Sequence, residues 1–376
     1  MILPGETVGV LGGGQLGRMF ALRARTMGYR VVVLDPDPLS PAAAVADQHI
    51  RAGYEDPKGL SELSKLCAAV TTEFENVPAQ ALERLAETRI VRPSGPAVAT
   101  AQDRIAEKTF FQKHGFATAE FRPVRDLEEL KAAVTEVSLP GLLKTSRLGY
   151  DGKGQILVTD AAEAREAFAR LGSVPCVLEE RVDLDCELSV IVARGADGAQ
   201  AIFPVAENRH REGILDTSVV PARVSEKMAN QATDLVTKVA TALDYVGVLA
   251  VELFVTKAGE LLANEMAPRP HNTGHYTLDA CSVDQFELQL RTLCDLPLVR
   301  PWLLCPVAMI NLLGDLWSGG EPRWEEALRR PGVRLHLYGK AEARPGRKMG
   351  HLNCLASTAD QALALALDSR EALRRN

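Results

Sequence analysis

The feature that most constrains this chain is a glycine-rich, cationic loop between two predicted strands. The loop KTSRLGYDGKGQ (144–155) follows a strand that ends in LLK (142–144) and leads into a strand that begins QILV (155–158). Glycines allow the N–H groups of a loop to approach a ligand closely, and lysine supplies a point charge for phosphate. The loop therefore suits a flap over a triphosphate, although the same residues would also fit a solvated hairpin tip.

A second pair of predicted strands places two glutamates opposite each other. The strands are VGVLAVELFVT (246–256) and ELLANEM (260–266), and a turn at Ala258-Gly259 would make paired positions sum to 517, so that Glu252 faces Glu265. Like charges about 5 Å apart are destabilising unless a cation lies between them. With Asn264 beside one carboxylate, the set suits Mg²⁺ bound jointly with nucleotide phosphates. The alternatives are an edge hairpin whose glutamates face solvent and a register shifted by one residue.

The composition narrows the class of protein. The chain has 376 residues, of which 46% are hydrophobic and 24% charged, so we expect two or three globular domains. A net charge of −6 argues against nucleic acid as a partner. The seven cysteines are scattered without a C-x-x-C pair, which favours reduced thiols in the cytoplasm over disulfides or a zinc site. Because no long apolar run or signal-like start is present, we expect no membrane partner.

The first hundred residues alternate predicted strands and helices. Strands are predicted at 7–11, at 29–35, just before 71–76 and at 89–91. This order predicts a Rossmann-like parallel sheet that binds ligands at the carboxyl ends of its strands. The glycines of the sequence Gly12-x-Gly14-x-x-Gly17 follow the first strand, and Asp35 ends the second, as in dinucleotide-binding proteins. On its own this fingerprint is weak for NAD.

The rest of the chain divides into two further predicted domains. The middle domain, 101–299, begins with a helix that carries Arg104 and Lys108. The proline-rich segment RPWLLCP marks the junction to a smaller α+β domain, 300–376. That domain contains the basic loop EARPGRKMG (342–350), which by itself is typical of a solvated surface.

The order of these elements resembles the ATP-grasp superfamily over essentially the whole chain. Four stretches resemble the N5-carboxyaminoimidazole ribonucleotide synthetase family of de novo purine biosynthesis: LGGGQLGRM (11–19), TTEFENVP (71–78), RLGYDGKGQ (147–155) and NEMAPRPHNTGH (264–275). The resemblance implies an α/β and α+β ATP-grasp fold, made of a Rossmann-like domain, a lid at about 117–182 with a central domain, and a small C-terminal domain. It also implies a cytoplasmic, homodimeric ligase that joins 5-aminoimidazole ribonucleotide to bicarbonate, uses Mg²⁺, and cleaves ATP to ADP and phosphate.

The resemblance assigns ATP to the middle of the chain. Arg104 and Lys144 are implied to contact its phosphates, and Glu252, Asn264 and Glu265 to bind Mg²⁺. The other implied nucleotide-binding residues are Gly149, Tyr150, Asp151, Gly152, Lys153, Gly154 and Gln155 in the lid, Glu179, Glu180, Arg181 and Val182 in the hinge, and Glu187, His210, Asn264 and Glu265. Without the resemblance, the hinge acids would be ordinary solvated side chains and the histidine a surface or structural residue.

The resemblance assigns the other two substrates to the remaining motifs. Arg269, His271 and Asn272 are implied to face bicarbonate and the carboxyphosphate formed from it, where guanidinium and amide donors suit developing negative charge. The alternative for this segment is a rigid surface turn. The residues implied to bind 5-aminoimidazole ribonucleotide are Gln15, Leu16, Glu73, Tyr150, Asp151, Lys340 and Arg347, the last two at its phosphate.

Three other classes of function remain open at this point. A formate-using glycinamide ribonucleotide transformylase or a biotin carboxylase would share the fold and an acyl-phosphate intermediate. An NAD-dependent dehydrogenase would use the glycine fingerprint and Asp35, but it would leave the cationic flap and the glutamate pair unexplained. A non-catalytic nucleotide sensor of the same fold is the third alternative.

Overall fold

The structure is a computed structural model that describes residues 1–149 and 152–374. The predicted contributions of Tyr150 and Asp151 therefore lie outside the described residues. The described part of the chain forms three sheets, with five, four and nine strands.

The first sheet is parallel throughout, as the alternation of strands and helices predicts. Its strand order is β3-β2-β1-β4-β5. The strands are β1 (Thr7–Leu11), β2 (Arg30–Leu34), β3 (Gln48–Ile50), β4 (Ala69–Thr72) and β5 (Ile90–Val91), and the helices are α1 (Gln15–Thr26), α2 (Pro57–Leu66), α3 (Ala79–Ala86) and α4 (Gly95–Ala101). All predicted strands are present, and the three-residue β3 was not predicted because it is too short to show a periodic pattern.

The glycine turn after β1 is built to hold two carboxylates of the chain itself. Glu73 accepts hydrogen bonds from the N–H groups of Gly14 (2.9 Å) and Gly17 (3.1 Å), at the start of α1. Asp35 accepts from the N–H of Gly13 at 2.7 Å. A Cβ on Gly14 would lie 2.4 Å from a Glu73 carboxylate oxygen, so the glycine is needed for this approach. The amides that a dinucleotide pyrophosphate would use are thus occupied, which argues against the dehydrogenase alternative.

The second sheet carries the predicted lid. Helix α5 (Arg104–Lys113) leads into it and begins at Asp103, whose carboxylate accepts from the N–H of Ile105 at 2.9 Å. The sheet has the order β6-β9-β7-β8, and all of its pairs are antiparallel. Its elements are β6 (Phe121–Val124), α6 (Leu127–Glu136), β7 (Gly141–Thr145), β8 (Gln155–Val158), α7 (Ala161–Arg170) and β9 (Cys176–Glu180).

The third sheet contains both the remainder of the middle region and the strands after residue 300. Its order is β15-β14-β10-β12-β13-β16-β18-β17, with β11 paired to β10. The strands are β10 (Leu184–Arg194), β11 (Gln200–Ile202), β12 (Ala206–Arg211), β13 (Ile214–Val220), β14 (Gly247–Thr256), β15 (Leu261–Ala267), β16 (Val307–Leu313), β17 (Val333–Leu337) and β18 (Lys348–Leu355). Because β13 pairs with β16, the C-terminal strands continue the central sheet. The domain boundary at residue 300 stays a prediction.

Five helices complete the fold. They are α8 (Glu226–Ala242), α9 (Thr277–Ala280), α10 (Gln285–Leu293), α11 (Trp324–Leu328) and α12 (Ala359–Ala372), and two short 3₁₀ helices cover Asn272–Gly274 and Gly314–Trp317. Helix α8 buries Val236 and Val239 in a core that also contains Val251 of β14. None of the helices in the described residues is both long enough and apolar enough to cross a membrane.

The hairpin of β14 and β15 contains a bulge that the sequence analysis did not foresee. The predicted two-residue turn is wrong: Thr256 donates to the carbonyl of Glu260, and Gly259 adopts φ +81° in a three-residue turn. Near this turn the pairing differs from the predicted register by one residue, because Leu253 lies opposite Ala263. An extra residue, Asn264, then shifts the register and places Glu252 opposite Glu265, so the predicted pairing of the glutamates is confirmed.

Candidate active site

A buried cluster of two lysines and one glutamate lies where the lid sheet meets α5. Lys144 lies one residue before the end of β7, and its ammonium lies 2.9 Å from the Glu179 carboxylate of β9. Lys108 of α5 lies 3.2 Å from the same carboxylate. Burial alone would raise the pKa of Glu179, but the two ammonium groups lower it to about 2. Burial, together with the positive charges of Lys108 and Arg104, lowers the pKa of Lys144. The cluster therefore holds more positive than negative charge.

One oxygen of this central glutamate has no partner. Lys108 and Lys144 both contact Oε2 of Glu179, whereas Oε1 is buried and accepts no hydrogen bond in the described residues. A buried carboxylate oxygen without a donor is costly, so this atom is suited to a donor on a ligand.

Arg104 connects this cluster to the glutamate hairpin. Its guanidinium lies 2.9 Å from Glu265, and its backbone N–H donates to the carbonyl of Ser146 in the flap at 2.8 Å. Although burial opposes ionisation, the adjacent guanidinium lowers the pKa of Glu265 to about 2. The Glu265 side chain is still 37% exposed, so it remains accessible to a ligand. Burial and the negative charge of Glu265 raise the pKa of Glu252 to about 7, since two carboxylates on one face repel each other.

The side chains of the two glutamates contact different halves of the site. Glu265 contacts Arg104, whereas Glu252 lies 3.6 Å from Nδ1 of His271. Burial and the nearby positive charges of Arg269 and Lys348 lower the pKa of His271 to about 3, so its ring is neutral.

His210 and Glu187 form a pair on neighbouring strands of the central sheet. The imidazole Nδ1 of His210 hydrogen-bonds to the Glu187 carboxylate, next to a bulge in the pairing of β12 with β13. Burial disfavours the charged ring, but the bond to Glu187 and the negative charge of Glu252 outweigh it and raise the pKa of His210 to about 9. Both side chains are about one quarter exposed, at 25% and 24%, so a ligand can reach them.

The segment from Arg269 to His275 is held from several directions. The Arg269 guanidinium forms an ion pair with Glu75, which follows β4 in the first sheet. Gln285 of α10 accepts from the N–H of His271 at 2.9 Å and donates to its carbonyl at 2.9 Å. The side-chain amide of Asn272 is paired with that of Asn311 in β16. These contacts argue against a simple exposed surface turn.

The residues predicted to bind the ribonucleotide are only partly brought together. Lys340 donates to the side-chain oxygen of Gln15 at 2.7 Å, which joins the C-terminal region to the glycine turn. The carboxylate of Glu73 lies at the start of α1, where burial raises its pKa and the positive charge of Arg269 opposes that rise. Leu16, in contrast, is 7% exposed and packs into the core of the first sheet, so its side chain is a core residue. Arg347 donates to the carbonyl of Glu342 within its own loop.

The described residues of the flap form a tight loop beside the site. Gly154 accepts from the N–H of Thr145, and Gln155 pairs with Lys144 at the base of the flap. Gly149 lies close to Arg104. Gly152 lies against the turn between β12 and β13, so close to Gly213 that an added Cβ would lie 3.0 Å from its Cα. Lys153 is exposed.

The predicted hinge follows β9. The Glu180 side chain accepts from the N–H of Glu120, and the backbone N–H of Arg181 donates to the carbonyl of Pro140. Val182 lies in the short link to β10.

The donor set around the hairpin fits a hard divalent cation. Glu252, Glu265 and Asn264 supply only oxygen ligands, and the buried Oδ1 of Asn264 has no hydrogen-bond partner among the described residues. Within that same part of the chain, no three acidic, histidine or cysteine side chains are grouped closely enough to hold a metal ion. A cation here would need ligands from a bound phosphate, as Mg²⁺ in nucleotide sites does.

Comparison with known protein families agrees with this arrangement. Three family models match consecutive parts of the chain: a ribonucleotide synthetase preATP-grasp domain over residues 5–102, an ATP-grasp domain over 109–286, and a phosphoribosylaminoimidazole carboxylase C-terminal domain over 307–365.

Similar proteins extend the match to nearly the whole chain. The N5-carboxyaminoimidazole ribonucleotide synthase of Brucella melitensis is 47% identical over 351 residues, covering 93% of this chain and 96% of that protein. This chain belongs to the N5-carboxyaminoimidazole ribonucleotide synthase family. A crystal structure of an N5-carboxyaminoimidazole ribonucleotide synthetase in complex with ADP is 44% identical and covers 98% of this chain and 97% of its own, with a TM-score of 0.93.

A further structure in the family contains both a nucleotide and the ribonucleotide. The Aspergillus clavatus N5-carboxyaminoimidazole synthase, in complex with ADP and 5-aminoimidazole ribonucleotide, is 32% identical and covers 97% of this chain and 98% of its own, with a TM-score of 0.89. These similarities confirm the predicted ATP-grasp fold and the family. The chain is therefore not a member of the transformylase, biotin carboxylase or dehydrogenase families.

Several residues of this site were not identified from the sequence. The helix pattern marks Lys108 only as a helix residue. Glu75 lies in the TTEFENVP stretch, but that stretch alone does not indicate its role. Gln285, Asn311 and Lys348 reach the site from α10 and the C-terminal strands, and no local pattern marks them. A motif comparison could have found Glu75, because it lies inside the TTEFENVP stretch, two residues after Glu73.

We expect Glu179→Gln to destabilise the protein at pH 7 by about 3 kcal/mol, because it leaves two buried ammonium groups without their counter-charge. The pKa of Glu179 falls from 4.5 to about 2 on folding, so its contribution is present above pH 4.5 and is lost as the pH falls toward 2. The deficit of the variant should therefore shrink over that range in urea unfolding. Glu180→Gln is the control, and an equal deficit in both variants would contradict the assignment.

Proposed function

We propose that this protein catalyses the ATP-dependent carboxylation of 5-aminoimidazole ribonucleotide with bicarbonate, giving N5-carboxyaminoimidazole ribonucleotide, ADP and phosphate in purine biosynthesis. The observation that carries the proposal is the position of the carboxylate pair. Glu265 contacts Arg104 on the side of the cationic flap, and Glu252 contacts His271 on the side of the Arg269 segment. A phosphoryl group transferred from the flap side to the Arg269 side would have Arg104 and Lys144 on one side and the Arg269 and Asn272 side chains on the other.

In this proposal the nucleotide lies between the lid sheet and the central sheet. Arg104 and Lys144 bind its phosphates, and the glycines of the flap, with Tyr150, Asp151, Lys153 and Gln155, cover them. The unpartnered Oε1 of Glu179 accepts from the exocyclic amine of adenine, whose ring edge meets the main chain of residues 180–182. Glu187 accepts from the ribose hydroxyls, and His210 holds Glu187 in place through their hydrogen bond.

We propose that Glu252, Asn264 and Glu265 hold Mg²⁺ together with the nucleotide phosphates. The bound ion would neutralise charge on the phosphate oxygens and lower the barrier to their transfer. The orphaned Oδ1 of Asn264 supports this role, since a buried amide oxygen without a donor is otherwise costly.

The chemistry begins with attack of a bicarbonate oxygen on the γ-phosphorus of ATP. The bond from this phosphorus to the bridging oxygen breaks, ADP leaves, and carboxyphosphate forms. Lys144 and Arg269 stabilise the negative charge on the transferring group, and Asn272 donates to the carboxyl oxygens. The neutral ring of His271 acts here as a hydrogen-bonding group, because its pKa of about 3 excludes the charged form.

The second step transfers the carboxyl group to the ribonucleotide. The exocyclic amine attacks the carboxyl carbon, the bond from this carbon to the phosphate oxygen breaks, and phosphate leaves. The proton that the amine loses as the carbamate forms passes to the departing phosphate. Glu73, Gln15 and the main chain of Leu16 border the imidazole ribonucleotide, and Lys340 with Arg347 binds its phosphate. Closure of the flap excludes water, which would otherwise hydrolyse the carboxyphosphate.

The remaining features of the proposal concern the whole protein. We propose that it acts in the cytoplasm as a homodimer, with domains at 1–100, 101–299 and 300–376. The exposed apolar side chains of Trp302 and Leu304, at 63% and 58% exposure, are candidates for the dimer contact. Sedimentation equilibrium measures the oligomeric state directly.

Phosphate release from Mg·ATP tests the proposed function. We expect turnover that requires both bicarbonate and 5-aminoimidazole ribonucleotide, with one N5-carboxyaminoimidazole ribonucleotide formed for each phosphate released. Release that does not depend on the ribonucleotide would keep the ATP-grasp assignment and contradict the substrate. Formate in place of bicarbonate, and NADH binding, serve as negative controls for the alternative activities.

Arg269→Ala should reduce turnover roughly a hundredfold or more, because it removes a charged donor from the transferring group. Arg269→Lys should recover only part of the loss, since a lysine keeps the charge but cannot form the planar fork. The exposed Arg344 provides a matched control, because its side chain pairs with the likewise exposed Glu342 on the protein surface. Wild-type turnover by Arg269→Ala with both substrates present would contradict its catalytic role.

A further inference from the structure

Asn311 lies outside the sequence motifs described above, yet its side chain contacts Asn272 of the proposed carboxylation site. It is on β16 in the C-terminal part of the central sheet and is 1% exposed, while Asn272 is 6% exposed. The side-chain amides of these two residues form a reciprocal pair. Asn272 Nδ2 donates to Asn311 Oδ1 at 3.1 Å, and Asn311 Nδ2 donates to Asn272 Oδ1 at 2.7 Å.

A backbone carbonyl fixes the orientation of this pair. Asn311 Nδ2 also donates to the carbonyl of Leu215 in β13 at 2.8 Å. If the Asn311 amide were turned over, its oxygen would face the Leu215 oxygen at this distance, and two acceptors would repel each other. Both N–H groups of Asn311 are therefore committed, one to Leu215 and one to Asn272. The orientation of Asn311 in turn dictates which edge of Asn272 holds the oxygen.

The pair leaves Asn272 with a defined hydrogen-bonding capacity. In a reciprocal amide pair, each amide uses its oxygen and the N–H on the same edge, so the N–H on the other edge is left over. In Asn311 this second N–H binds the Leu215 carbonyl. In Asn272 the equivalent N–H is not used by the pair, so Asn272 can present a donor to a ligand.

We propose that Asn311 is a positioning residue that holds Asn272 as a hydrogen-bond donor toward the carboxyl group being transferred. The inference rests on the proposed function, which places Asn272 at bicarbonate and carboxyphosphate. An anionic carboxyl group requires a donor, and an amide that presented its oxygen would repel it. The carbonyl of Leu215 thus fixes, through the amides of Asn311 and Asn272, that the site presents an N–H donor. Strand β16, from the C-terminal part of the central sheet, therefore contributes to the carboxylation step.

A double-mutant cycle with Asn272 tests whether Asn311 acts through it. Asn311→Leu removes the pair at similar volume, and we expect kcat to fall roughly 10- to 100-fold while the KM for ATP is unchanged. In an Asn272→Ala background, Asn311→Leu should cause little further loss, because residues that act as a unit are not additive. Melting temperatures with and without Mg·ADP verify that each variant is folded and binds nucleotide.

Asn353 provides the matched control for this cycle. It is a fully buried amide on the neighbouring strand β18, and it donates to the carbonyl of His275 and to Asp279 rather than to Asn272. Any loss from Asn353→Leu should therefore persist in full in the Asn272→Ala background. If Asn311→Leu fails to fold, Asn311→Ser, which keeps a hydroxyl at the same place, is carried through the same cycle.

The outcomes separate this inference from the proposed function. If Asn272→Ala is impaired but Asn311→Leu costs the same in both backgrounds, Asn311 does not act through Asn272 and the inference is wrong. Full activity of Asn311→Leu alone would contradict it equally. If Asn272→Ala itself retains wild-type turnover, the proposed role of Asn272 fails, and the inference fails with it.

Discussion

The bulge at Asn264 is the constraint on which the site depends. Near the turn, Leu253 pairs with Ala263, and a continuation of this register would place Asn264 opposite Glu252 and Glu265 opposite Val251. Val251 is fully buried in the core beneath α8, so Glu265 would then face that core. One extra residue reverses the faces of the following residues and brings both carboxylates to the same side of the sheet. The repulsion between them would be relieved by the cation that we propose they share with a nucleotide.

The charges around this hairpin are arranged in two opposed halves. On one side, Arg104, Lys108 and Lys144 surround a single buried glutamate, and the excess positive charge suits the phosphates of a nucleotide. On the other side, Arg269 is held by Glu75, and the ring of His271 is neutral. The carboxylate pair lies between these halves and contacts both. The first sheet, the lid sheet and the central sheet each contribute side chains, so the site lies where the three sheets meet.

Local patterns were sufficient to predict much of this architecture. The parallel first sheet, the strands on both sides of the flap and the pairing of Glu252 with Glu265 all follow from alternation, glycines and strand lengths. The turn of the glutamate hairpin is one residue longer than predicted, and the bulge compensates for it, so two unforeseen features cancel at the glutamates. Contacts between distant segments, such as that of Asn272 with Asn311, could not be predicted, because they depend on strand order and on side-chain orientation. Leu16 shows the converse limit, since its motif position does not reveal that its side chain packs into a core.

We propose that the bulged hairpin forms a cation site shared with the nucleotide. Crystals of the protein grown with ADP and Mn²⁺ in place of Mg²⁺ test it directly, because the anomalous scattering of manganese locates the ion. We expect a peak within coordination distance of Glu252, Glu265 and Asn264 Oδ1, bridged to the nucleotide phosphate, and loss of that peak in Glu265→Gln. A peak bound only to phosphate and water, with the hairpin carboxylates turned away, would contradict it.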